Sequence, residues 1–205
     1  MAEKWATPAS KEIVQTTMAS LKANGINSTY VQNGQEAKKK ILEMIPENSE
    51  VFTSSSTTLD QIEIPQAINE TGKYNSVRKK LNSLDRTKDA FEMKKTGAAP
   101  EWVLGSVHAI TEDGKVFIAS NSGSQLPAYS YAAANVIWVV GTHKIVKDAN
   151  EATERIYKYT LPLESERAKK AYGVAGSAVN KMLIINKEAA LGRITIIFVD
   201  EKLGF

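Results

Sequence analysis

The chain has 205 residues, 42% of them hydrophobic and 24% charged, and its 26 basic residues against 23 acidic ones leave a net charge of +3. That length suits one compact domain, residues 1–205, able to bury a core without staples, and the near-balance of charge, with no arginine-rich patch, argues against a nucleic-acid binder. Cysteine is absent, which excludes disulfides, thiolate metal sites and any iron–sulfur cluster held by this chain.

In chain order, Thr7-Pro8 reads as a helix cap and first helical residue. Ile13, Val14, Met18 and Leu21 then trace one face as far as Gly25, so residues 1–24 form an amphipathic N-terminal helix, expected to act as a lid. Ser28–Val31 is a short strand. Asn33 and Glu36 form a capping pair that opens a helix through Ala37, Ile41 and Ile45 to Pro46. Val51-Phe52 is a strand that empties into the hydroxyl-rich run Thr53–Thr58, with Leu59 starting the next helical turn. Residues 61–97 are strongly charged, interrupted by Gly72 and Gly97, and read as a peripheral helical cover.

Two apolar runs flank Thr111–Lys115, where Asp113-Gly114 supplies the backbone of a two-residue hairpin turn. The second run, Val116–Ala119, leads into Ser120–Gln125. Ser124 reads as the N-cap of a following helix with Pro127 in its first turn, and the N-terminus of such a helix offers free N–H groups to an anion. Val136–Val140 is apolar on both faces, the mark of a sheet covered on both sides. Asp148 and Glu151 cap a helix that runs to about Tyr159 and breaks at Leu161-Pro162, before a second helix carrying Glu164, Glu166 and Arg167. Gly173–Ser177 is a loop, and Met182–Ile185 and Ile194–Val199 are the closing strands. Alternating helices and strands with one hairpin describe a three-layer α/β domain with a mixed, mainly parallel sheet. No stretch has the length of a membrane span, so the expectation is a soluble, cytoplasmic protein.

Ligands of such sheets bind beyond the carboxyl ends of strands, which singles out the Thr53–Thr58 loop, the Ser120–Gln125 loop and the turn after Gly141. The candidate ligand-binding residues are therefore Ser55, Ser56 and Thr57 on one side and Ser120, Ser122, Gly123, Ser124 and Gln125 on the other. Lys144 follows the buried strand and can reach a carboxylate or phosphate held between them. Arg167 is a second candidate clamp, although a Glu164–Arg167 ion pair on one helix face is the ordinary explanation. His108 and Glu112 are the candidate proton carriers, imidazole because it titrates near neutrality. Two histidines without a carboxylate cluster give no metal site, and the absence of Gly-Lys-Ser/Thr and Gly-x-Gly-x-x-Gly patterns excludes nucleotide loops of those types.

Ala109-Ile110-Thr111-Glu112-Asp113-Gly114, then Ser122–Tyr129, Val136–Gly141, Lys144-Ile145-Val146 and Pro162-Leu163-Glu164 with Arg167 together resemble the LUD domain, the lactate-utilisation family. The likeness extends from about Gly25 to Leu203-Gly204-Phe205 and is densest from Val107 to Arg167. It implies a fold similar to ribose-5-phosphate isomerase, glucosamine-phosphate deaminase and the CoA transferases, whose early hydroxyl- and glycine-rich loop cradles phosphate or CoA. Residues 53–58 stand in that position without a glycine. Many members carry asparagine where His108 stands. The resemblance further implies a role in oxidation of lactate to pyruvate beside iron–sulfur partner proteins, with no cofactor in this chain and a small anionic metabolite as ligand; a homo-oligomer is compatible with it. An independent sugar-phosphate isomerase-like or CoA-transferase-like enzyme and a non-catalytic interaction subunit are the alternatives.

Overall fold

The computed structural model describes residues 2–205; Met1, where the expected N-terminal helix begins, lies outside them. Residues Ala2–Ala6 form a 3-10 turn rather than helix, and α1 runs from Lys11 to Ala23. Ser10, not Thr7, is the cap, its hydroxyl accepting from the Ile13 N–H at 3.4 Å. The start is displaced because Trp5 is buried elsewhere, in a cluster with Phe117, Val146 and Tyr159. Val14 and Leu21 of α1 point into the core, and none of its residues reaches the cavity described below. The helix is a structural layer, not a lid.

Then follow β1 (Asn27–Val31), α2 (Gly34–Met44), β2 (Glu50–Thr53), α3 (Thr57–Gln61), α4 (Ile64–Asn69), β3 (Asn75–Ser76), α5 (Val77–Ser83) and α6 (Ala90–Ala98). The capping pair of α2 forms, Asn33 Oδ1 accepting from the Glu36 N–H at 3.0 Å. The central stretch contains β4 (Trp102–Gly105), β5 (Ala109–Thr111), β6 (Val116–Ser120), a π turn at Ala128–Ala132 and β7 (Asn135–Gly141). It closes with β8 (Ile145–Val146), α7 (Ala149–Arg155), a second π turn at Ile156–Thr160, α8 (Leu161–Tyr172), β9 (Lys181–Ile185) and β10 (Ile194–Val199).

The strands divide between two sheets. Six form a wholly parallel sheet in the order β1-β10-β7-β4-β2-β3, and four form a second sheet in the order β8-β5-β6-β9. All antiparallel pairing lies in the second sheet, β5 with β6 and β6 with β9. In β7, Val136, Ile137, Trp138, Val139 and Val140 are each at most 1% exposed. Ile137 and Val139 pack with α2, α3 and α4, whereas Val136, Trp138 and Val140 pack with α1 and the inner face of the second sheet. Period-2 alternation thus feeds two separate cores, each large side chain adding about 1.5–3 kcal/mol on burial. The outer face of the second sheet makes a third core with α7.

Two local expectations are corrected. The hairpin loop has three residues, with only Gly114 at positive φ (81°) and the Gly114 N–H returning to the Thr111 carbonyl at 2.8 Å. That is a turn followed by a glycine bulge. Pro162 does not break the helix either: α7 and α8 run on through the π turn, where the Leu161 N–H bonds Ile156 O, five residues back. The extra residue widens the turn just where proline offers no N–H. Among the described residues, no helix is long and apolar enough to cross a membrane.

Candidate functional site

At the carboxyl ends of β2, β4 and β7 lies a cavity of about 300 Å3. Its walls follow from the element order. The segment after β2 supplies Ser54 to Thr58, the residue after β4 is Ser106, and the 3-10 turn after β7 ends in Lys144. The far side comes from the second sheet and its loops, with His108, Ser120, Ser122, Ser124 and Gln125, and from the π turn and α8, with Thr160, Glu164 and Arg167.

The β2 segment is held by bonds across strands. Ser54 Oγ donates to Leu104 O at 2.9 Å and so accepts from the Tyr129 hydroxyl at 2.7 Å. Burial pushes that phenol up to about 12. Gly105 is glycine of necessity, because a Cβ there would overlap the Tyr129 hydroxyl and stand 2.7 Å from Ser54 Oγ. Ser56 caps α3 through the Leu59 N–H at 3.4 Å.

Lys144 is 2% exposed, and its Nζ donates to Thr58 Oγ1 and Ser106 Oγ, both at 3.0 Å. Burial first, and then the charge of Arg155, hold its amine well below the ordinary lysine range. Among the described residues no carboxylate side chain pairs with it, so an ammonium here carries a desolvation penalty that favours the neutral amine until a counter-charge arrives.

Two guanidinium groups, of Arg78 and Arg167, line the same space, and a third, of Arg155, lies behind its wall. Arg155 is fully buried, donating to His108 O at 2.5 Å and Thr160 Oγ1 at 3.0 Å, with its guanidinium 5.1 Å from the Tyr159 ring centre. Burial brings it down to about 10. Arg78, from α5, lines the cavity, donates to Thr53 O at 2.5 Å and lies 4.9 Å over the Phe52 ring. Arg167 is tied to Glu164 by two bonds of 2.7 and 2.6 Å, and that carboxylate holds its pKa up. Glu164 is the one carboxylate side chain on the cavity wall among the described residues, and it is already paired. Hydroxyls, an amide and cationic side chains thus line a space in which, among the described residues, no carboxylate side chain is free, an arrangement able to meet negative charge.

Of the residues singled out by the sequence, Ser55, Ser56, Thr57, Ser120, Ser122, Ser124, Gln125, Lys144, Arg167 and His108 share this cavity. Gly123 does not line it. Its φ is +83° and its N–H is committed to Ser120 Oγ at 2.8 Å, as the Ser124 N–H is to Ser122 Oγ at 3.3 Å. These two N–H groups are therefore not free, and the helix that follows, residues 126–132 with Pro127 in its first turn, is short, mostly a π turn and opens without a side-chain cap from Ser124. What the loop presents is hydroxyls and Gln125, whose Oε1 accepts from Ser120 Oγ at 3.0 Å.

Glu112 stands apart on the hairpin loop, its N–H bonded to Val146 O at 2.9 Å, and takes no part in the cavity. His108 does face it, but as a donor. Its Nδ1 accepts the Ala119 N–H at 3.1 Å, and burial, with Lys144 and Arg155 nearby, lowers it to about 3. With Nδ1 occupied, the neutral ring carries its proton on Nε2 and cannot serve as a base there. Sequence reasoning missed Ser54, Thr58, Ser106, Tyr129, Thr160 and Arg78. Thr58 and Ser106 follow strand ends and were findable by that position; Arg78 sits in the charged stretch read as peripheral and carries no signal. Among the described residues, no group of three or more His, Asp or Glu could hold a metal.

The family model that matches the chain is that of the LUD domain, over residues 14–199. Among solved structures, a DUF162 family protein from Deinococcus radiodurans is similar, with 14% identity, a TM-score of 0.57 and coverage of 94% of this chain and 99% of that one. A second, eIF2B beta from Chaetomium thermophilum, has 17% identity and a TM-score of 0.38 over 60% of this chain and 42% of that one. The first likeness concerns the fold; the second is too slight to support an argument. No curated protein matches.

Proposed function

The chain belongs to the LUD domain family, and from that premise we propose that it binds a small anionic metabolite, a carboxylate or phosphate, in the cavity beyond β2, β4 and β7. In this reading it supports oxidation of lactate to pyruvate together with iron–sulfur partner proteins. The single observation that carries the anion reading is Lys144: a lysine 2% exposed, bonded only to hydroxyls, on a wall whose sole carboxylate side chain is held by Arg167. An arriving anion supplies the missing counter-charge. The iron–sulfur part rests on composition and family. With no cysteine the chain offers no thiolate to a cluster, so electrons leaving the substrate must pass to a partner.

Glu112 is not among the residues that line the cavity, and Glu164 is engaged, so the independent-enzyme alternative has no free carboxylate side chain on the wall to rest on. The test is a thermal-shift panel of lactate, pyruvate, sugar phosphates and CoA esters. A ligand at a hundred times its Kd adds about 2.7 kcal/mol of stability, and the expected result is a rise in Tm with a small carboxylate or phosphate that weakens in Lys144→Met. No shift with any member of the panel would remove the reading.

A further inference from the structure

Lys144 is placed for more than charge recognition. We propose that its Nζ is a nucleophile that condenses with the carbonyl of a small oxo acid, a molecule carrying both a carbonyl and a carboxylate, to form an imine inside the cavity. The proposal rests on the anion-binding reading above and deepens it.

The geometry around Nζ carries it. A neutral amine has two N–H bonds and one lone pair. Thr58 Oγ1 donates to Leu203 O at 3.3 Å, so toward Lys144 it is an acceptor, and Ser106 Oγ takes the second N–H at the same 3.0 Å. Both N–H bonds are thus directed at protein, and the lone pair takes the remaining tetrahedral direction. The polypeptide closes one approach. Gly204, at φ +67°, passes so near that a Cβ there would overlap Thr58 Oγ1 and lie 3.2 Å from Nζ. The open approach is from the cavity that Lys144 lines. There the hydroxyls, the Gln125 amide and Arg78 meet a carboxylate, and an oxo acid has its electrophilic carbon within a bond or two of that group. A lysine kept for structure alone pairs with a carboxylate; this one has none.

The step is balanced within the chain and its substrate. The Nζ lone pair attacks the carbonyl carbon, the C–O π pair moves to oxygen, and that oxygen leaves as water with the two amine protons. A C=N bond replaces C=O, and nothing is oxidised or reduced.

The experiment is reductive trapping on the whole protein. Incubation with pyruvate or glyoxylate and sodium borohydride, followed by digestion and peptide mass mapping, should place one reduced adduct on the Lys144 peptide. Its yield should exceed that of any surface lysine by about tenfold or more, because an ordinary lysine offers a neutral amine on the order of once in 10^3 at pH 7. Lactate, which has no carbonyl, should suppress the labelling without becoming attached. Lys144→Arg should abolish the adduct on that peptide; if that variant does not fold, the wild-type peptide map decides alone. A thermal shift with pyruvate but labelling of Lys144 no greater than of surface lysines overturns the imine and leaves anion binding standing. Neither shift nor labelling removes both.

Discussion

The Thr53–Thr58 and Ser120–Gln125 loops are alike in composition and border one cavity, yet they direct their hydrogen bonds differently. The first reaches outward: Ser54 to Leu104 and Tyr129, Thr58 to Leu203 and Lys144, each partner at least 50 residues away in sequence. The hydroxyls of the second bond within the loop, Gly123 to Ser120, Ser124 to Ser122 and Ser120 to Gln125, all within 5 residues. A serine-rich stretch therefore says that a loop is polar, not what its polar groups serve. The hydroxyls of the first loop join the tertiary structure; those of the second bond one another, and it is the Ser120 and Ser122 carbonyls and Asn121 Oδ1 that tie the loop to Asn180 and Lys181.

The sharpest way to test that division is at the outward loop's backing. Gly105→Ala forces a Cβ into the Tyr129 hydroxyl and to 2.7 Å from Ser54 Oγ, and should cost about 3 kcal/mol or more in urea unfolding. Ser54→Ala leaves the buried Tyr129 hydroxyl without its partner and should cost about 1–3 kcal/mol by the same measurement. The second loop should answer weakly: Ser122→Ala, at an exposed residue whose hydroxyl bonds only Ser124, should stay within about 0.5 kcal/mol of the parent. Equal losses for Ser54→Ala and Ser122→Ala would dissolve the contrast.

An acid effect is also expected from two buried histidines, His108 on the cavity wall and His143 in the turn after β7. His108 and His143 are lowered to about 3 and about 2, chiefly by burial, so between those values and the ordinary 6.5 the unfolded chain binds protons that the folded chain does not. Stability is then fully present above pH 6.5 and declines as pH falls through that window, by at most about 1.4 kcal/mol per pH unit for each group. His108→Asn keeps an acceptor for the Ala119 N–H and should flatten the slope in unfolding titrations from pH 7 to 4. An unchanged slope would show that His108 does not contribute.

The fold was legible because its signals are periodic. Val136–Val140, the Asn33/Glu36 and Asp148/Glu151 caps and the Asp113-Gly114 turn all act over a few residues. The division into two sheets was not, since strand partners are chosen by tertiary packing, and the π turn at Ile156–Thr160 turns a proline that reads as a stop into a continuation. For the cavity, which loops follow which strands could be read from element order. That Arg78 enters it from α5 could not, because α5 is reached through a charged, weakly patterned stretch whose path depends on packing against β2. Nor could the internal bonding of the Ser120–Gln125 loop be foreseen, as hydroxyls choose between neighbours and ligands only in three dimensions.

The Tyr129 ring meets Trp138 edge-on at 5.3 Å while its hydroxyl holds Ser54 on the cavity wall. The indole, 0% exposed, therefore sits one side chain away from any guest. Its fluorescence should emit at the blue end of the tryptophan range and change in intensity when the cavity fills, giving the molecule an optical gauge of its own occupancy that needs no attached dye.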